Sequence, residues 1–67
     1  MHRFLIQTSD KNDAQLLREY AESQGGTLIR VDTRITYCVS VDLPESTRTQ
    51  DIENLPCAGV HDIQDFG

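Results

Sequence analysis

Apolar residues in the first third of the chain change from a strand-like to a helix-like spacing. The short apolar run centred on Phe4, Leu5 and Ile6 predicts a strand over residues 3–8. A helix is predicted from about residue 13 to residue 24, because four apolar residues there share one helical face: Leu16, Leu17, Tyr20 and Ala21. The chain is therefore expected to begin with a strand followed by an amphipathic helix.

The Gly25-Gly26 pair separates this helix from a second strand, which we predict over residues 27–31. Gly25 suits the left-handed conformation that ends many helices, and Asp10 or Asn12 can cap the helix start. The pair follows a helix, whereas phosphate-binding glycine loops precede a helix N-terminus. We therefore assign the two glycines to backbone geometry and not to phosphate binding.

The most regular alternation in the chain predicts a third strand over residues 35–41, after a tight connection at residues 32–34. Its apolar side, which should pack against the helices, carries Ile35, Tyr37, Val39 and Val41. Its small polar side, which should lie on an uncovered sheet face, carries Thr36, Cys38 and Ser40. This strand is the best candidate for the middle of a sheet.

A second, shorter helix follows Pro44 and leads into a last strand. Thr47 and Gln50 have the three-residue spacing of a capping box, and Ile52 supplies part of the buried edge. The final strand is predicted over about residues 59–64.

The order strand, helix, strand, strand, helix, strand predicts an α+β fold in one domain over residues 1–67. Its simplest form is a ferredoxin-like sandwich, with two helices on one face of a four-stranded antiparallel sheet. Right-handed crossovers place the first and third strands in the centre. The residues expected on the uncovered face are Leu5, Thr36, Cys38 and Ser40, joined by Leu28 and Ile63 depending on register.

Composition narrows the choice of partners. The net charge is −5, and nucleic-acid binders are normally basic, so direct DNA or RNA binding is disfavoured. The N-terminus has no long apolar run, so we expect neither a signal peptide nor a membrane span, and the initiator methionine suggests a complete small protein. Two cysteines, Cys38 and Cys57, are too few for a disulfide scaffold. We therefore expect a cytoplasmic protein with reduced thiols.

No set of residues in the chain has the pattern of a catalytic or cofactor site. Cys57 and His61 have a Cys-x3-His spacing, but the paired cysteines of a structural zinc site are absent from the sequence. Cys57 follows a helix C-terminus, where the helix dipole disfavours a thiolate. We therefore predict no enzyme activity, no cofactor and no metal.

The spacing of several segments resembles the family of subtilisin propeptides and proteinase B inhibitors. The resembling segments are Phe4-Leu5-Ile6, Gly25-Gly26-Thr27-Leu28-Ile29, Tyr37-Cys38-Val39-Ser40-Val41 with Leu43-Pro44, and Val60-His61-Asp62-Ile63-Gln64-Asp65. The resemblance implies a protein that docks its sheet face on a serine protease, with the tail over residues 64–67 nearest the cleft. It thereby implies partner-binding roles for Leu5, Thr36, Cys38, Ser40, Ile63 and Asp65.

Our first hypothesis is therefore a small non-enzymatic protein-binding module, most specifically a protease-inhibitor-like protein. An alternative is an acidic regulator of the phage or plasmid type that blocks a nucleic-acid-binding protein. Its binding residues would be Asp42, Glu45, Asp51, Glu53, Asp62 and Asp65. A third hypothesis is a homodimer in which two uncovered faces pair.

Overall fold

The computed structural model of the protein describes residues 1–34 and 36–67, which form an antiparallel four-stranded sheet and two helices. In chain order the elements are β1 (His2–Thr8), α1 (Lys11–Ser23), β2 (Thr27–Asp32), β3 (Tyr37–Leu43), α2 (Thr49–Glu53) and β4 (Val60–Asp65). The strand order across the sheet is β2-β3-β1-β4, so β1 and β3 lie in the centre. This α+β arrangement is compatible with a ferredoxin-like fold.

One face of the sheet, here called the core face, carries the hydrophobic core. Phe4 and Ile6 of β1 lie opposite Val41 and Val39 of β3, and all four are fully buried. They form one cluster with further buried residues from β3, α1 and α2: Leu43, Leu17, Ala21 and Ile52. Each such side chain contributes about 1.5–3 kcal/mol when it is fully buried, so this cluster is the main source of stability in a chain of this size.

The two ends of α1 are fixed by specific hydrogen bonds. The Asp10 side chain accepts the backbone N–H of Asn12 (2.9 Å), and the helix begins at Lys11, two residues before the predicted start. At the other end, Gly25 has φ +78° and Gly26 donates its N–H to the carbonyl of Ala21 (2.8 Å). This is the glycine-terminated helix end that the sequence predicted.

The third strand lies two residues later than its predicted range. It begins at Tyr37 and continues through Asp42 and Leu43, because both of these residues pair with β1. Ile35, which was predicted to begin the strand, lies outside the described residues.

The second helix also starts later than the capping pattern predicted. Arg48 precedes the helix, and its backbone N–H donates to the Asp51 carboxylate (2.9 Å), so the capping pair is Arg48 with Asp51 and not Thr47 with Gln50. Thr47 is instead buried, with its N–H bonded to the carbonyl of Pro44 (2.9 Å). A carboxylate suits this position because it also interacts favourably with the N-terminal end of the helix dipole.

Each outer strand contains one bulge that changes which side chains reach the core. In β2 the register shifts between Leu28 and Arg30, and in β4 it shifts at His61. A bulge adds one residue without a partner, so two apolar residues three apart can lie on the same face. The apolar pairs that pack on the core in this way are Leu28 with Val31 and Val60 with Ile63.

Candidate functional site

The second face of the sheet, here called the open face, is centred on Leu5. Along β1 this face carries Arg3, Leu5 and Gln7, and across the sheet Leu5 lies opposite Ser40 and Gln64. Cys38 of β3 lies opposite Gln7. Leu5, Gln7, Cys38 and Ser40 are half-buried, which leaves part of each side chain accessible to a partner. The structure therefore brings together Leu5, Cys38 and Ser40, as the alternation predicted.

Three candidate residues lie on the core-face side instead: Ile63 and Leu28, which were expected on the open face depending on register, and Asp65, which was predicted to bind a partner. Ile63 pairs with Ile6, Asp65 with Phe4 and Leu28 with Val41, so each shares the face of a buried residue. The assignments of Ile63 and Leu28 to the open face were wrong. Asp65 lies on the same side of the sheet as Phe4, just beyond the edge of the hydrophobic core. Alternation alone cannot locate a bulge, and a one-residue shift moves a side chain to the opposite face.

Thr36 lies at one end of the open face, beside a shallow depression of about 400 Å³. The depression is lined by Gln7, Asp32, Arg34, Thr36 and Cys38. The Thr36 hydroxyl donates to the carbonyl oxygen of Thr8 (2.6 Å), which ties the residue before β3 to the end of β1. Thr36 therefore lines the depression and also fixes the backbone at this end of the open face.

Charged side chains surround the uncharged centre of the open face. At one end Arg3 forms two bonds to Asp42, Nε to Oδ1 at 3.0 Å and Nη2 to Oδ2 at 3.2 Å. The hydrogen bond from Arg3 lowers the pKa of the Asp42 carboxyl. At the other end Asp32 lies 3.8 Å from the Arg30 guanidinium and 3.6 Å from that of Arg34. These exposed pairs contribute little to stability and leave the guanidinium groups accessible.

The open face is electrically neutral, although the protein is acidic. With Asp62 included, this face carries three arginines and three aspartates, whose charges cancel. The net charge of −5 is therefore carried by the rest of the molecule. A partner that docks on this face meets balanced charges at the rim and is attracted at longer range if it is basic.

Five of the six acids named for the acidic-regulator hypothesis have local partners, among them Asp62, whose Oδ2 accepts the side-chain amide of Gln64 (3.4 Å). Besides Asp42 with Arg3, Glu45 pairs with the N-terminal ammonium (2.8 Å) and Asp51 accepts the N–H of Arg48. Asp65 pairs with His2. These acids are distributed around the molecule and each is held by a different neighbour.

A buried carboxylate joins three elements near the start of α1. Asp13 is 2% exposed, and its Oδ2 accepts both the Thr8 hydroxyl (2.6 Å) and the backbone N–H of Gly59 (2.9 Å). A Cβ at Gly59 would lie 2.9 Å from that oxygen, so any larger residue there would displace the Asp13 carboxylate. From the sequence, Asp13 was predicted only as the first residue of the helix. The sequence shows Asp13 only as an acid in the first turn of a helix. Acids are common at that position, so this does not indicate a buried carboxylate.

Both cysteines in the described part of the chain are free thiols. Burial, with the nearby carboxylates of Asp13 and Asp10, raises the pKa of the Cys57 thiol, so little reactive thiolate is present at neutral pH. Within residues 1–34 and 36–67, no three histidine, cysteine or acidic side chains form a group that could hold a metal ion. Of the helices in the described chain, none has the length and apolar character needed to cross a membrane.

The fold and the open face together define a small α+β protein with one sheet face available for contact. Comparisons with protein-family models, curated proteins and solved structures found no match to this chain.

Proposed function

We propose that this protein is a non-enzymatic protein-binding module, a ferredoxin-like sandwich that docks on another protein through its open face. The observation that carries the proposal is the charge pattern of that face. Leu5, Cys38 and Ser40 form an uncharged centre. The Arg3–Asp42 pair lies at one end of it, and the outer strand borders it with Arg30 opposite Ser40 and Asp32 opposite Cys38. Protein interfaces have this organisation, with charge depleted in the middle and a polar rim.

The dimensions of the open face favour a weak or transient complex with a different protein. Four strands about 4.8 Å apart and about seven residues long give a face of roughly 450 Å². A stable interface buries about 800 Å² on each partner. Two open faces packed against each other would fall well short of this area, so we do not favour the homodimer. A larger partner gains additional area by contacting the loops beside the face.

The protease-inhibitor form of the proposal depends on the open face and not on the tail. Gln64 and Asp65 belong to β4, where they pair with Leu5 and Phe4 of β1. Their backbone is therefore engaged in the sheet. We retain a protease as one partner class because a sheet face is what the resembling family uses for docking.

We place this module in the cytoplasm. Cys38 and Cys57 are both free thiols, and unpaired cysteines are typical of reducing compartments.

A matched pair of arginine substitutions tests the open face. Ser40→Arg places a long charged side chain at the uncharged centre, whereas Gln15→Arg makes the same change of charge on the exposed surface of α1. The parent protein is immobilised, and the partner that it captures from a cell extract is purified. Its affinity for all three is then measured by titration calorimetry.

We expect Ser40→Arg to weaken binding at least about tenfold, since it leaves a desolvated charge in the contact, and Gln15→Arg to leave it unchanged. Circular dichroism of the free variants checks that both are folded. Equal affinity of the folded Ser40→Arg variant and the parent would contradict docking through this face.

The acidic-regulator alternative is favoured by one observation, the location of the whole net charge outside the open face. In that case affinity falls steeply between low and moderate salt because exposed charges are screened. Apolar docking at the centre of the open face depends much less on salt. The same titration repeated at two salt concentrations therefore separates the two functions.

A further inference from the structure

The start of β1 and the end of β4 meet at one corner of the sheet, where His2 contacts Asp65. The His2 Nε2 atom forms a hydrogen bond to Oδ1 of Asp65. The imidazole ring also stacks on Phe4, with ring centres 4.4 Å apart and planes inclined by 24°. The side chain of His2 is 16% exposed, so packing restrains the ring that holds Asp65.

The same Asp65 oxygen connects His2 to the backbone that follows β4. Oδ1 of Asp65 accepts the N–H of Gly67 (2.8 Å), and Phe66 donates its N–H to the carbonyl oxygen of Arg3 (2.9 Å). Phe66 thus continues the ladder opposite Arg3, and by alternation this position lies on the open-face side. Phe66 is 61% exposed and is one of the large apolar side chains exposed to solvent.

The groups around His2 favour its protonated form. Asp65 faces it from β4 and Glu45 faces it from the segment after β3, where Glu45 also pairs with the ammonium of Met1. The hydrogen bond to Asp65 raises the pKa of His2 above its ordinary value of 6.5, and the partial burial of the ring opposes this shift. The bond to His2 in turn lowers the pKa of Asp65 below its ordinary 3.8.

The direction of the pH dependence follows from these two shifts. The stabilisation due to His2 is complete below about pH 6.5 and is lost as the pH rises through the higher value of the folded protein. The stabilisation due to Asp65 is present above about pH 3.8 and is lost as the pH falls through its lower folded value. The ion pair is therefore strongest in mildly acidic solution. Neutral imidazole keeps at most an uncharged donor, which forms a weaker bond.

We propose that protonated His2 and Asp65 form a latch that holds Phe66 at the Arg3 corner of the open face, and that deprotonation of His2 loosens Phe66 and Gly67. The latch is a property of the free protein. Only its consequence, that Phe66 adds apolar area to the docking surface in mildly acidic solution, rests on the proposed function.

Nuclear magnetic resonance on the free, uniformly labelled protein tests the latch without any partner. The His2 imidazole, the His61 imidazole and the backbone amides of Phe66 and Gly67 are followed from pH 5 to pH 9. We expect the two amides to shift with the midpoint of His2, and their heteronuclear NOE to fall above it. The exposed His61 ring serves as the internal control, because the Phe66 amide should follow the signals of His2 and not those of His61.

Two amide substitutions on β4 provide the matched controls. Asp65→Asn removes the charge that faces His2 and should lower the midpoint of His2 and abolish the coupled shift of Phe66. Asp62→Asn makes the same chemical change at the opposite face of the strand and should leave both effects intact. If the Phe66 and Gly67 amides of the unmodified protein do not follow His2, the latch is refuted, whatever the result for partner binding.

Discussion

Replacing Gly26 with alanine is expected to destabilise the protein by at least about 3 kcal/mol, which is close to the whole stability of a domain of this size. A Cβ at Gly26 would fall on the carbonyl oxygen of Asp42 and lie 3.2 Å from the Cα of Leu43. These atoms belong to the backbone of the central strand β3, so they cannot move aside as a flexible side chain would. The end of α1 would have to separate from the sheet.

Gly25→Ala is the matched control for this prediction. Gly25 has φ +78°, and a Cβ there has no other atom within 4 Å. The cost is then the backbone strain of a left-handed residue alone, about 1–2 kcal/mol. Urea unfolding followed by circular dichroism gives both free energies. If Gly26→Ala costs no more than Gly25→Ala, α1 does not end against the backbone of β3 as described.

Asp13→Ala is the second substitution for which we expect a large effect, a loss of about 2–4 kcal/mol. It removes two hydrogen bonds to an acceptor that is 2% exposed, and it leaves the N–H of Gly59 without the oxygen that it now contacts. Thr8 loses its carboxylate partner at the same time. Because the three residues join β1, α1 and the segment before β4, the loss affects the packing of all three elements.

Asp13→Asn removes the negative charge of the side chain but keeps an oxygen that can accept both hydrogen bonds. Both donors bind the same oxygen, Oδ2, so the single carbonyl oxygen of asparagine can still accept from Thr8 and Gly59. We expect a loss of only about 1 kcal/mol, from weaker, uncharged bonds. Thermal and urea unfolding of the three proteins measures the difference. Equal losses for the alanine and asparagine variants would show that these two bonds are not what makes Asp13 important.

The parts of the fold that follow a simple period could be predicted from sequence. A helix was expected over about residues 13–24 from its apolar spacing and its glycine end, and the observed helix covers residues 11–23. The burial of Phe4, Ile6, Val39 and Val41 on one face also follows from alternation, because β1 and β3 pair without interruption. In both cases local pattern and tertiary packing favour the same structure.

The outer strands could not be predicted to the same accuracy, because each contains an irregularity. Ile29 and His61 are extra residues in their strands, and no local signal distinguishes them from their neighbours. The error propagated to the candidate site, where Ile63 was expected on the open face and lies opposite Ile6. As a result the open face is less apolar than expected, with Leu5 as its central aliphatic side chain.

The buried hydrogen bonds of Asp13 could not be predicted from the sequence, for a different reason. The residues that it joins are separated by up to 46 positions, and their meeting depends on how the segment before β4 passes α1. Neither Thr8 nor Gly59 signals this contact by its type. Only the packed structure shows why a glycine and an acid occur at these positions.

The two irregular outer strands also bear on self-association. An extended strand at the margin of a sheet can act as a template on which further copies add in register, as in fibril growth. In this protein one margin is interrupted at Ile29 and the other at His61, and both carry charged side chains. Copies that meet edge to edge therefore cannot extend the backbone ladder without a break, and the protein should remain dispersed at high concentration.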